Sequence, residues 1–396
     1  MPDLFSDPAP PTNGSAAEPA GDAERRALVA LSLVPGVGAG RARALVAAFG
    51  TAEAVLAAPP GRLVRVDGVG WATAEAVRAG AEQGAMDDQF ARADRVGARL
   101  VAFGDDEYPT RLREIYDPPP FLWVLGRMTA ADDRAAAVVG TRKASDYGLR
   151  VAGAFARGLA GGGATVVSGL AYGVDVAAHR AALAAGGRTV AVLGSGVDRI
   201  YPARHAPVVR EVVGRDLGAV VSELPMGAKP DAPHFPRRNR IVSGMSVATV
   251  VAEARATGGA LLTAAIALEQ NRDVFAAPAP VFSDYEGTNR LVQRGYAALA
   301  LDAADVLAAL DAVAPPPGHP APGRPAPAHP AEPALPPADL SAVERRLLGA
   351  LSAEPRPLDA VCDASGVDTS QALVYLLQLD FRGLVLQLAG KQFYRA

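Results

Sequence analysis

Ala135-Ala136-Ala137-Val138-Val139-Gly140-Thr141-Arg142-Lys143-Ala144-Ser145, echoed by Thr165-Val166-Val167-Ser168-Gly169-Leu170-Ala171-Tyr172-Gly173-Val174-Asp175, decides the fold. Each stretch is a short apolar run without alternation that breaks into a crest of Gly, Ser or Thr and then enters a helical pattern. Working outward, similar runs predict strands at 135–139, 165–167, 189–193, 219–221, 247–252, 274–276 and about 297–300. Helical patterns at 147–159, 174–184 and 261–269 fall between them. Strands that are apolar throughout and separated by helices belong to a parallel sheet covered on both faces. In such a fold ligands bind outside the carboxyl ends of the strands.

Those ends carry the polar residues. Two further crests are Gly194-Ser195-Gly196-Val197-Asp198 after the third strand and Glu253 with Thr257-Gly258-Gly259-Ala260 after the fifth. Gly- and Ser-bearing crests can turn backbone amides and hydroxyls toward phosphate. Further along, Lys229-Pro230 leads through His234-Phe235-Pro236 into Arg237-Arg238-Asn239-Arg240. Cations beside an aromatic ring neutralise a backbone and stack a base, the chemistry of single-strand binding. A solvated basic helix end with Phe235 in the core is the plainer reading; beside the crests, a nucleic-acid groove is expected. Charge supports that placement. The whole chain carries −3, yet residues 134–312 hold 19 basic and 15 acidic side chains, against 13 and 19 before them and 7 and 8 after.

Composition bounds the rest. Half of the 396 residues are hydrophobic, enough for a sizeable core and several domains. The lone Cys362 excludes a disulfide framework and a thiolate zinc site. The five histidines never fall at ligand spacing, and no apolar run is long enough to span a membrane. A cytoplasmic protein without metal is expected. Residues 1–23, rich in Pro, Ala and Asp, read as a disordered tail, and 313–338 as a spacer, since 11 of residues 315–337 are proline. Between these segments, 24–100 is expected as a helical domain and 101–312 as the sheet domain, with a softer boundary near Pro118-Pro119-Pro120. In the helical domain Val34-Pro35-Gly36-Val37-Gly38 recurs as Val66-Asp67-Gly68-Val69-Gly70, which looks like a paired helix-hairpin-helix of the SAM-like kind. Such a module holds DNA by its backbone or serves as a protein-binding scaffold. Residues 339–396 open with a capping box, Ser341 and Glu344, and look like a winged helix. Its expected recognition helix, 369–381, has no Lys or Arg and carries Asp380, which points to protein interaction rather than base reading.

The segments from Val138 to Ser145 with Tyr147-Gly148, Val167 to Ala171, Gly173 to Asp175, Ala178-His179, Phe235-Pro236, Asn239 to Ile241, Leu262 to Ala264 and Gly287 to Leu291 together resemble the DNA-processing protein A (DprA, or Smf) family. The resemblance implies an α/β fold: an extended Rossmann-like sheet domain flanked by the helix-hairpin-helix and winged-helix modules. It implies no catalysis and no cofactor. It implies binding of single-stranded DNA, pairing with a second copy, and loading of the RecA recombinase during natural transformation. Carried over by position, DNA contacts fall on Arg142, Lys143, Ser168, Gly169, Gly194, Lys229, Phe235, Arg237, Arg238, Asn239 and Arg240. Tyr172 stands where the family often has arginine, exchanging a charge for a stacking ring. Ala279 replaces a usual glycine, and Thr257 to Ala260 is a looser match. The dimer surface is expected between Asn289 and Leu310, with Leu291 and Leu307. An enzyme resembling nucleoside-monophosphate phosphoribohydrolases is the alternative, with Gly258, Gly259, Thr263, Glu253 and Glu269 around a nucleotide. Asp175 and His179, one helical turn apart, are expected to be structural.

Overall fold

Alanine and valine fill the strands because helices cover both faces of the sheet and leave no side that can be polar. The computed structural model describes residues 21–80, 83–313 and 340–369, then 371–372, 375–376, 379, 384–388 and 392–395. The nine strands of the main sheet are β1 (Ala98–Ala102), β2 (Phe121–Gly126), β3 (Ala135–Gly140), β4 (Thr165–Ser168), β5 (Thr189–Val192), β6 (Gly218–Ser222), β7 (Ala248–Glu253), β8 (Asp273–Ala276) and β9 (Ala298–Leu299). Their order is β1-β2-β6-β5-β4-β3-β7-β8-β9. Pairings from β6 to β9 are parallel, whereas β1 with β2 and β2 with β6 are antiparallel. The seven expected strands are present with ends displaced by at most one residue.

The antiparallel pair was not expected. The boundary expected after residue 100 falls inside β1, and the proline run lies within the sheet domain. There the Tyr108 hydroxyl donates to the Pro119 carbonyl at 2.8 Å, and the Phe103 amide donates to that of Pro120 at 2.9 Å. Prolines here lead into an antiparallel strand and do not act as a linker.

The doubled hairpin is present. Helices Ala39–Phe49 and Trp71–Ala79 each follow a turn whose central glycine, Gly36 or Gly68, takes a positive φ near 80°. The Glu24 carboxylate accepts from the Ala52 and Glu53 amides at 2.7 and 3.1 Å, tying the first helix, Asp22–Leu33, to the start of helix Ala52–Ala57. That first helix begins at Asp22, inside the segment expected as tail; residues 1–20 lie outside the described residues.

The front module is not a separate body. Its core, built on Leu31, Leu45, Val55 and Leu63, runs on into Leu100, Phe121 and Trp123 of β1 and β2 and into Val197 and Met226. Gln89 seals the junction, accepting from the Met226 amide at 2.7 Å and donating to its carbonyl at 3.3 Å.

Of the expected spacer, 313–338, only Val313 is described, as the last residue of helix Ala303–Val313. The second compact unit has its own core of Leu347, Val361, Leu376, Leu379 and Phe393. Both bonds of the Ser341 and Glu344 capping box form, and an antiparallel three-stranded sheet follows from Arg356–Pro357, Val385–Leu388 and Gln392–Arg395. Of the expected recognition helix, Thr369, Gln371, Ala372, Tyr375, Leu376 and Leu379 are described and helical; Asp380 lies outside. Among the described residues, no helix is long and apolar enough to cross a membrane, and no cluster of three metal-ligating side chains occurs.

Candidate nucleic-acid interface

The strand order brings the four crests together. β5, β4, β3 and β7 are neighbours; an open cavity of about 750 Å³ lies over the carboxyl ends of β4, β3 and β7, and the crest after β5 lines a recess beside it. Arg142, Gly169, Phe235, Asn239, Arg255 and Gly258 are among its lining residues. Helix His234–Gly244 lies across from the crests and supplies the aromatic wall.

Two of the crests are held by the chain's own carboxylates. In the first, the Thr141 amide donates to the Glu253 carbonyl, the Ser145 amide to the Glu253 carboxylate at 2.9 Å, and the Lys143 amide to Thr141 Oγ1. Gly148 is required there, because any Cβ would strike the Glu253 carboxylate. In the second crest, the Ala171 amide donates to Asp175 at 3.3 Å. These crests therefore present side chains more than amides, which corrects the expectation of backbone phosphate cradles. The fourth crest is open. Helix Gly259–Glu269 starts at Gly258 without a side-chain cap, Thr257, Gly258 and Gly259 are exposed, and this positive helix end faces the cavity.

Cations and rings alternate at the lip. The Arg142 guanidinium lies over the Phe235 ring at 4.6 Å from its centroid, and Tyr201 sits 6.1 Å from the same ring. Gly194 makes room for Phe235, since a Cβ there would stand 3.0 Å from the ring. A small adjoining recess is lined by Tyr172, Gly194, Tyr201 and Phe235, and Arg204 stacks on Tyr172 at 4.3 Å. Arg204 thus brings a cation to the place where Tyr172 lacks one. Lys143 and Lys229 are exposed, the latter beside Pro230 of the cavity wall.

Three expected contact residues are corrected. Ser168 is fully buried and its hydroxyl donates to the Val138 carbonyl at 2.7 Å. Arg238 is 5% exposed and forms part of the cavity floor, its guanidinium taken up by the Gly169 carbonyl at 2.6 Å and by that of Val192, to both of which it donates. Burial pulls its pKa down to about 10, while Asp175 opposes the shift. Arg240 is 7% exposed and ion-paired with Glu223 and, at 2.9 Å, with Asp117. Both arginines hold the fold because their neighbours supply the partners that a phosphate would. Of the run, Arg237 is exposed, lying between Pro236 and the first hairpin turn at Gly38.

His179 is wholly buried. Thr189 Oγ1 donates to the Val166 carbonyl at 2.6 Å and so accepts from His179 Nδ1 at 2.7 Å, fixing the tautomer. Burial drives the His179 pKa down to about 3, so the ring is a neutral strut and not half of an acid–base couple with Asp175.

The expected dimer residues belong largely to the chain's own packing. Leu310 and Leu291 are buried, Leu307 packs over Gly162, and Asn289 exchanges two 2.9 Å hydrogen bonds with the backbone of Ala279. In the same region Tyr296, Leu299 and Leu301 are exposed instead. Sequence reasoning missed Tyr201, Arg204 and Arg255. The sequence clue for the first two was an aromatic between Arg199 and Arg204 directly after the third crest.

Residues 99–311 match the family described as DNA recombination-mediator protein A. Residues 330–391 match the DprA winged helix domain, and residues 29–83 the SAM-like helix-hairpin-helix tandem. The protein Smf of Synechocystis is 33% identical over 403 residues, covering 94% of this chain and 99% of its own. The DNA processing protein DprA of Streptococcus pneumoniae is 40% identical over 208 residues, 52% of this chain and 72% of its own. A crystal structure of the S. pneumoniae protein superposes with a TM-score of 0.61 at 31% identity, covering 71% of this chain and 95% of that one.

Proposed function

The chain belongs to the DNA recombination-mediator protein A family, and on that premise we propose that it captures single-stranded DNA without catalysis, as a homodimer in the cytoplasm, and passes the strand to RecA during natural transformation. One observation carries the DNA reading: a cation and an aromatic ring are paired at the lip of an open cavity, Arg142 over Phe235, opposite an uncapped helix start. Phosphates are drawn to Arg142, Lys143, Lys229 and Arg237, and bases stack on Phe235, Tyr201 and Tyr172. The phosphoribohydrolase alternative is not favoured. Glu253 is locked by Ser145, and Glu269 faces a separate cleft beside Tyr116.

The test is fluorescence anisotropy of a labelled oligothymidine at two salt concentrations with duplex competitor. Tight, salt-sensitive binding that duplex leaves intact is expected. Arg142→Ala with Lys143→Ala should weaken it and flatten the salt slope by up to about 0.7 per lost phosphate contact. A folded protein that ignores the oligonucleotide overturns the reading, and release of free base from a nucleoside monophosphate would then favour the alternative. Exposed Leu299 and Leu301 beside the sheet edge support pairing of two copies, which sedimentation of a Leu299→Glu variant checks. A RecA-loading assay on coated single strands checks the last step.

A further inference from the structure

We propose that Phe282, at the tip of the segment between β8 and helix Gly287–Gln293, is a second stacking platform for a base of the same strand as it leaves the cavity. This rests on reading the cavity as a single-strand site. Val281 is 75% exposed and Phe282 103%, yet the segment carrying them is fastened on both sides. Tyr147 Oη donates to the Pro278 carbonyl at 2.6 Å, Asn289 clasps Ala279, and the Ser283 hydroxyl closes the tip on the Pro280 carbonyl at 2.8 Å. A ring held out on an anchored turn is presented to a ligand at little further ordering cost.

Its surroundings select the ligand. Tyr285 Oη donates to the Lys143 carbonyl at 2.9 Å, and the Arg255 guanidinium covers the Tyr285 ring at 5.3 Å. Tyr285 therefore binds the segment to the first crest and to a cation of the cavity wall. Lys143 and Arg255 are both exposed, and the nearby carboxylates are answered: Asp284 faces Arg255 at 3.8 Å and Glu286 pairs with Arg290 at 2.6 Å. Cations beside a free ring suit a nucleotide. One Val-Phe pair offers far less apolar area than a stable protein interface needs.

The experiment uses the full chain and oligothymidines of increasing length. Phe282→Ala should leave binding of the shortest oligonucleotides unchanged and weaken longer ones by about 5- to 150-fold, the equivalent of about 1–3 kcal/mol for one stacked base. In a Phe282→Trp variant, with the signal of Trp71 and Trp123 subtracted using the parent protein, only the longer oligonucleotides should quench the added emission. Parent-like affinity of Phe282→Ala for oligonucleotides of every length, or quenching that follows protein concentration without DNA, overturns the proposal; the latter assigns the tip to a second copy. If the parent binds no oligonucleotide, the cavity reading fails and the platform falls with it.

Discussion

Arg237→Ala and Arg238→Ala, one residue apart, should fail in opposite ways. Arg237 is exposed, so its loss should leave stability within about 0.5 kcal/mol while weakening oligothymidine binding and its salt slope. Loss of Arg238 strands the Gly169 and Val192 carbonyls and the Asp175 carboxylate in a buried floor. Removing one partner from such a cluster costs about 3–5 kcal/mol, which urea denaturation will register. The sequence shows four polar letters in a row and cannot show which of them burial will claim; that depends on where β4, β5 and the Glu223 loop end. His179 gives a second residue-level test. Its folded pKa is lowered to about 3, so its contribution is complete above the unfolded value near 6.5 and is lost as pH falls toward 3. Over that window stability should drop by about 1.4 kcal/mol per pH unit from this group, with His205, also lowered, adding in the same direction. Denaturation at pH 7 and pH 5 should show the slope reduced by about one proton in His179→Leu.

At the level of elements, the parallel strands were legible because burial on both faces writes them as unbroken apolar runs ending in glycine. β1 and β2 were not, because a proline run stood before β2 and resembled a linker, and because β1 packs against helices that the chain forms much earlier. The crests were legible as glycine clusters and Asp175 as a structural group, but the hold of Glu253 on the first crest was not, since that carboxylate comes from another strand. Gly194→Ala tests crest against helix. The added methyl meets the Phe235 ring at 3.0 Å and should displace it, lowering affinity by up to about tenfold, part of one base's stacking, with the urea midpoint nearly unchanged. A parent-like affinity would mean that the ring's position does not matter.

For the whole molecule, the doubled hairpin announced a module, yet only the structure shows that it caps the sheet. A chain beginning at Ala98 would bare Phe121 and Trp123, each worth about 1.5–3 kcal/mol of burial, and should aggregate or melt at a lower temperature in calorimetry. Removing residues 325–396 takes away a separate core and should leave the main transition in place. Arg238 carries a consequence at this scale too. By holding carbonyls beside β4 and at the end of β5 from the helix that bears Phe235, it makes the floor and the aromatic wall move as one body. A site assembled before the ligand arrives loses little conformational entropy on binding. Encounter should then be governed by long-range attraction, so that raising the salt slows association far more than it hastens release.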